Sequence, residues 1–242
     1  MRYGVSAYVT RTVLVDSGFP GIASELRAWL ASNRLAGAVL THGHEDHAGN
    51  LQTLVDRGIP VQMAASTEAA VRNPGHIGWY RRAVWNRFTP FRGTAQPFAH
   101  TALALTPTRG HSPDHHVVWD AERETVFGGD LFIGVKVRIA HSDEDIRGQV
   151  GALRDVAAWK PKRYFDGHKG LLTDPVSQLQ AKADWIEEMI GAIEELARRG
   201  WDDRAIRDEV LGAEDLTGIV SFGDYSRMNF VRSIRNSMVS PL

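Results

Sequence analysis

Three histidines and two carboxylates fall within six residues at His42-Gly43-His44-Glu45-Asp46-His47. Neutral imidazoles and a carboxylate are ligands for zinc, and also for iron, manganese or nickel. The run follows an apolar stretch, 37–40, that reads as a buried strand. If the backbone continues extended, His42 and His44 project to one side, because strand side chains repeat every two residues. Asp46 and His47 then lie in the turn that opens the next helix and approach the same point from another direction. So dense a polar cluster makes a poor core and a costly surface. Metal binding is the reading of the run, and a loop that is His-rich by chance is the alternative.

Three later segments end on groups of the same kind. The stretch from Thr106 to His115 follows a strand expected at 103–105 and puts His111 at a turn after Gly110. Residues 125–130 read as a strand that ends in Gly128-Gly129-Asp130, and 164–168 as a strand that ends in Gly167-His168. Each would project its last polar residue beyond a strand terminus, where open α/β sheets place their sites. Gly43, Gly110, Gly129 and Gly167 remove side-chain bulk beside these candidates.

The elements that must position these groups alternate in type. Strands are expected at 5–10 and 12–15, closed by the turn Asp16-Ser17-Gly18, then at 59–63, 103–106, 117–120, 125–127 and 163–166. Helices are expected at 22–32 and from the histidine run to Arg57, with Gly58 as a stop. A long helix over 175–199 starts on Pro175, ends before Gly200 and carries Val176, Leu179, Ala183, Ile186, Ile190, Ile193 and Leu196 as an apolar stripe. Shorter helices are expected over 203–211 and 225–239. This rhythm predicts an α/β protein, a sheet covered by helices. Residues 73–100 differ, with Trp79, Tyr80, Trp85, Phe88, Phe91 and Phe98 among Arg81, Arg82, Arg87 and Arg92. They read either as a helix and loop held on the core by aromatics or as a wall over a site.

The 242 residues suffice for a sizeable core, and 28 basic against 29 acidic residues give a net charge of −1. So even a balance gives no general attraction to nucleic acid or anionic membrane. The chain lacks cysteine, which excludes disulfides and thiolate metal sites and suits a reducing compartment. No stretch reaches the ~18 apolar residues of a membrane span, and the first fifteen residues lack a signal-peptide layout. The sequence predicts a soluble, cytoplasmic protein with no nucleic-acid or membrane partner and leaves its oligomeric state open.

The four ordered motifs together resemble the metallo-β-lactamase superfamily, from about Val13 to His168, and its glyoxalase-II-like branch in particular. The resemblance implies a four-layer αβ/βα sandwich with C-terminal helices: a core over 1–174 and a helical extension over 175–242 packed on the same domain. It implies that His42, His44 and His111 bind a first metal, that Asp46, His47 and His168 bind a second, and that Asp130 bridges the two. The cofactors would be two divalent ions, zinc first, with iron or manganese as alternatives. Asp16 matches an aspartate that supports the histidine loop. His115 also matches a family position and is read as a packed, hydrogen-bonded residue. His76, His100, His116 and His141 match nothing and are read as solvated or core residues; Lys136, Arg138 and Lys169 are read as surface charges that could face the cleft. Family members usually carry more strand before the Asp16 motif than fifteen residues supply, so either the first sheet is trimmed or the start lies upstream.

The activity implied is hydrolysis of a small-molecule ester, thioester or lactone by metal-bound hydroxide, with Asp46 orienting the nucleophile. A true β-lactamase is disfavoured, because those enzymes lack the bridging carboxylate. The alternatives are a mononuclear iron enzyme like the persulfide dioxygenases, held by His42, His111 and Asp130, or a phosphodiesterase. A non-catalytic metal-binding protein comes last.

Overall fold

The computed structural model describes residues 4–239. By internal contacts the chain forms two compact units, 4–107 with 114–130 and 161–173, and 108–113 with 131–160 and 174–239.

The first unit opens with a hairpin of β1 (Tyr8–Thr10) and β2 (Val13–Val15). Both turn residues, Arg11 and Thr12, take positive φ, the primed geometry that follows the strand twist. After α1 (Ala23–Ser32) come β3 (Gly37–Val39), α2 (Leu51–Asp56), β4 (Val61–Gln62), α3 (Ala65–Arg72) and α4 (Trp79–Trp85). Then follow β5 (Ala104–Pro107), β6 (His116–Asp120) and β7 (Thr125–Phe127). The second unit contributes β8 (Ala140–His141) and α5 (Ile146–Ala158) before the chain returns for β9 (Arg163–Asp166) and β10 (Gly170–Leu171). It closes with α6 (Pro175–Arg198), α7 (Asp203–Val210), α8 (Leu216–Val220), β11 (Tyr225–Ser226) and α9 (Arg227–Val239).

Two mixed sheets build the first unit, one in the order β1-β2-β3-β4 and the other β10-β9-β7-β6-β5. Strand alternation sorts its apolar residues into two layers. Val13, Val15 and Val39 face Val118 and Phe127 of the other sheet. Leu14, Ala38 and Leu40 point the opposite way and bury Leu26 and Leu30 of α1, Leu51 and Leu54 of α2 and Val71 of α3. The unit is thus a helix–sheet–sheet stack whose strand ends carry the candidate ligands. The expected α/β class and paired mixed sheets are what the structure has.

In the second unit, α5 and α6 pack together around Leu153, Val156, Leu179, Ala183 and Ile186, all buried. Asp174 caps α6 by accepting from the Ser177 amide, with Pro175 in the first turn, and Gly200 follows its end at φ +83. The sequence reading had no element over α5. Gly148 and Gly151 lower its helix propensity, and its Asp145 cap, which accepts from the Gly148 amide, was the signal that could have found it. The helix expected over 225–239 begins at Arg227, because Tyr225 and Ser226 pair with His141 and Ala140 as a short strand. Among the described residues, no helix is long and apolar enough to cross a membrane.

Candidate metal centre

β2 and β3 run parallel and end side by side, so Asp16 and the histidine run leave the sheet at neighbouring points. Asp16 takes φ +61, a left-handed conformation that Asp tolerates better than most residues. Its Oδ1 accepts from the Thr41 amide at 2.8 Å and its Oδ2 lies 2.8 Å from His47 Nδ1. The Thr41 hydroxyl lies 3.0 and 2.9 Å from the two Asp16 oxygens and 3.0 Å from His42 Nδ1. A carboxylate only accepts, so the hydroxyl donates to Asp16 and accepts from His42 Nδ1–H. Asp16 therefore holds the Nδ1 proton on both His42 and His47, one directly and one through Thr41, and turns each Nε2 lone pair inward. The support expected of Asp16 is present. Thr41, the relay, was not singled out in the sequence, because a threonine after a strand has no signature of its own.

Within the first unit the inward atoms form two overlapping donor groups. His42, His44 and Asp130 each offer an atom within 4.8 Å of the others, and so do Asp46, His47, Asp130 and His168. His42 Nε2 lies 3.0 Å from His44 Nδ1, the two rings edge to face, in keeping with projection to one side. His47 Nε2 is 3.1 Å from Asp130 Oδ1 and 3.8 Å from Asp46 Oδ2. His168 Nε2 is 3.2 Å from Asp130 Oδ2 and 3.4 Å from Asp46 Oδ2, while its Nδ1 is anchored by the Gly4 carbonyl at 2.8 Å. Asp166 accepts from the His168 and Lys169 amides at 2.9 and 2.8 Å and so shapes the turn that presents His168.

Close backbone approach explains two of the glycines. A Cβ on Gly167 would meet Asp130 Oδ1 and His47 Cε1, both at 2.7 Å. Gly129 has φ +49, and a Cβ there would meet His115 Nε2 at 2.7 Å. His115 Nε2 accepts from the Asp130 amide at 3.0 Å, so this buried histidine fixes the backbone of Asp130, as a packed residue would. Asp114 accepts from the Gly43 amide at 2.7 Å and ties the His42–His44 turn to the segment before β6; the sequence reading passed over it.

Charge divides the groups. Burial lowers the His42 pKa well below the ordinary imidazole value, and the neighbouring His47 and His44 lower it further. Burial would lower His47 too, but the Asp130, Asp46 and Asp16 carboxylates hold it well above that value. Burial opposes protonation of His168 as well, yet Asp130 and Asp46 push its pKa up to about 11. Asp130 stays ionised far below the usual carboxylate range, because His47 and His168 outweigh its burial. A set of buried anionic oxygens and imidazole nitrogens with fixed outer partners is the chemistry of a divalent cation site. The residues fit divalent cations, and Asp130 belongs to both donor groups.

His111 stands in 108–113, with the second unit, where Glu144 Oε1 lies 3.8 Å from its Nδ1. The preceding Gly110 has φ +129, and a Cβ there would strike the Gln149 backbone at 2.5 Å. Lys136, Arg138, Lys169 and His76 are exposed. His116 Nδ1 is 2.8 Å from the Asp114 carbonyl and His100 Nδ1 accepts from the Ala102 amide at 3.1 Å.

Residues 73–98 divide between the two readings given above. Trp85, Phe88 and Phe91 are buried, whereas Trp79 is 59% exposed. The fork of Arg81 is engaged by Glu45.

A family model for the metallo-β-lactamase superfamily matches residues 2–168. The chain is 24% identical over 191 residues to a β-lactamase-like protein 2 homolog of Caenorhabditis elegans, covering 73% of this chain and 59% of that protein. It is 34% identical over 130 residues to a probable metallo-hydrolase, YybB, of Bacillus subtilis strain 168, covering 51% and 58%. The chain thus spans less than two thirds of the length of these relatives. Among solved structures, a metallo-β-lactamase family protein from Thermus thermophilus superposes with a TM-score of 0.67 at 15% identity, over 93% of this chain and 85% of that one. TTHA1623, solved in a di-iron-bound form, superposes with a TM-score of 0.57 at 23% identity, over 73% and 91%. With the family model covering most of the chain and the strand-end histidines and aspartates gathered as described, the protein belongs to the metallo-β-lactamase superfamily.

Proposed function

We propose that the chain is a dinuclear metallo-hydrolase acting on a small-molecule ester, thioester or lactone, as in the glyoxalase-II-like branch. The observation that carries the reading is the pair of donor groups overlapping at Asp130, with His42, His47 and His168 each held through Nδ1 by an outer partner. His42, His44 and Asp130, completed by His111, would hold one ion; Asp46, His47, Asp130 and His168 would hold the other. Two divalent ions there supply Lewis acidity and a water acidified towards neutral pH. Asp46, besides serving as a ligand, would accept the hydrogen bond that orients such a water. Asp16 keeps both inward imidazoles in the tautomer that binds cations, and the low dielectric of the buried set strengthens every charge interaction within it.

The buried second group, complete with its Asp16 support, favours two ions over a mononuclear iron enzyme. Zinc suits the imidazole and carboxylate donors; the di-iron form of TTHA1623 keeps iron as the alternative. The even charge balance favours a small substrate over nucleic acid, and the lack of cysteine suits the cytoplasm. Metal analysis of protein purified without added metal, followed by a panel of thioesters, lactones and phosphodiesters, tests the reading. Two equivalents of metal with thioester or lactone turnover is the expected result. One iron, or turnover confined to phosphodiesters, would refute it.

A further inference from the structure

Helix α4 meets the second donor group through a single face. Arg81 and Trp85 stand four residues apart on one side of it. Arg81 sets Nε and Nη2 on the two carboxylate oxygens of Glu45, and the pair is largely withdrawn from water, with side chains 13% and 3% exposed. The Trp85 ring lies 6.4 Å from the ring of His168 and 5.2 Å from that of Phe19. Glu45 is the residue between His44 and Asp46, so its side chain is a handle on the backbone that aims both. Behind it the loop has little slack, since a Cβ on Gly49 would lie 2.3 Å from the Glu45 carbonyl oxygen.

We propose that Arg81 is a positioning residue for the second metal: by clamping Glu45 in a forked pair, it fixes the turn that presents Asp46 and His47. The inference rests on reading Asp46, His47, Asp130 and His168 as a metal site. A guanidinium suits the task better than an ammonium, because two parallel N–H···O bonds fix orientation as well as distance. A buried ion pair contributes little net stability, because desolvation offsets the attraction; what the fork supplies here is geometry. Trp85 packs beside His168, so the same helix face backs two ligands of one group.

The test compares the wild type, the charge-neutral double variant Glu45→Gln/Arg81→Met, and Arg81→Lys. Metal-free protein is titrated with Zn2+ against a competing chelator to resolve the two equivalents, and melting temperature is measured in parallel. The pair carries no net charge in either the wild type or the double variant, so a change of net charge cannot account for the result. The double variant is expected to weaken the second equivalent about tenfold and the first, which Glu45 adjoins only through His44, by clearly less; Arg81→Lys is expected to weaken the second less than the double variant does. Unchanged second-site affinity in a folded variant, or equal weakening of both sites in step with melting temperature, overturns the proposal. If the double variant does not fold, an unaltered second equivalent in Arg81→Lys overturns it alone. A wild type that binds fewer than two equivalents overturns the dinuclear reading itself, and this inference with it.

Discussion

The two donor groups share Asp130 and differ in everything around it. In the second, Asp46 and Asp130 face His47 and His168, whose affinity for protons they raise. In the first, His42 is buried among other imidazoles and its affinity for protons falls. The second group therefore holds protons tightly, and a metal entering it would have to displace them. In the first, His42 is held neutral and presents its Nε2 lone pair. They also differ in support: Asp16 touches His47 directly but reaches His42 only through the Thr41 hydroxyl. Geometry that one carboxylate imposes on two rings is stiffer where the contact is direct.

Asp130→Ala should have the largest effect, because the residue belongs to both groups. Bound metal is expected to fall from two equivalents to fewer than one after dialysis, with affinity reduced more than ~100-fold; retention of two equivalents would show that Asp130 does not bridge. Asp16→Asn preserves shape but removes the charge. The second equivalent should weaken ~10- to 100-fold and the first by less, as read by chelator competition, and equal losses would dissolve the contrast between direct and relayed support. Gly167→Ala should act more on the second group than on the first, since the new methyl meets His47 Cε1 as well as the shared Asp130 Oδ1, both at 2.7 Å. Strain of ~1–3 kcal/mol corresponds to roughly 5- to 150-fold in the second equivalent, and a crystal structure with metal would show which ligand yields. His115→Ala should change metal content least, because His115 contributes to Asp130 only through a backbone amide. Leaving that amide unsatisfied costs ~1–3 kcal/mol, visible in thermal melts; loss of a full equivalent of metal would make His115 a ligand.

Much of the core was legible in the chain. Val13-Leu14-Val15 and Gly37–Leu40 are short apolar runs bounded by turn residues, and they form the parallel pair that carries Asp16 and the histidine run. The helix from Pro175 was legible from its proline, its stripe and its terminal glycine. Helices α3 and α5 were not: α3 has one large apolar residue, Val71, and α5, despite its apolar face, carries two glycines near its start. The aromatics of 73–98 were visible, but their division between buried Trp85 and exposed Trp79 was not. Burial depends on what a helix packs against.

The sequence by itself determined which groups can bind metal, because ligand chemistry is a property of residue type and the HxHxDH spacing brings four donors to one turn. It also determined that His111, Asp130 and His168 follow strands, since strand ends can be read from apolar runs and glycines. Only the tertiary structure decided which nitrogen of His42, His47 and His168 faces inward, because that depends on Thr41, Asp16 and Gly4, the last 164 positions from the residue it holds. Only the tertiary structure, likewise, paired Arg81 with Glu45 across 36 positions. A charge in a sequence has no partner until folding brings one to it and removes the water between them.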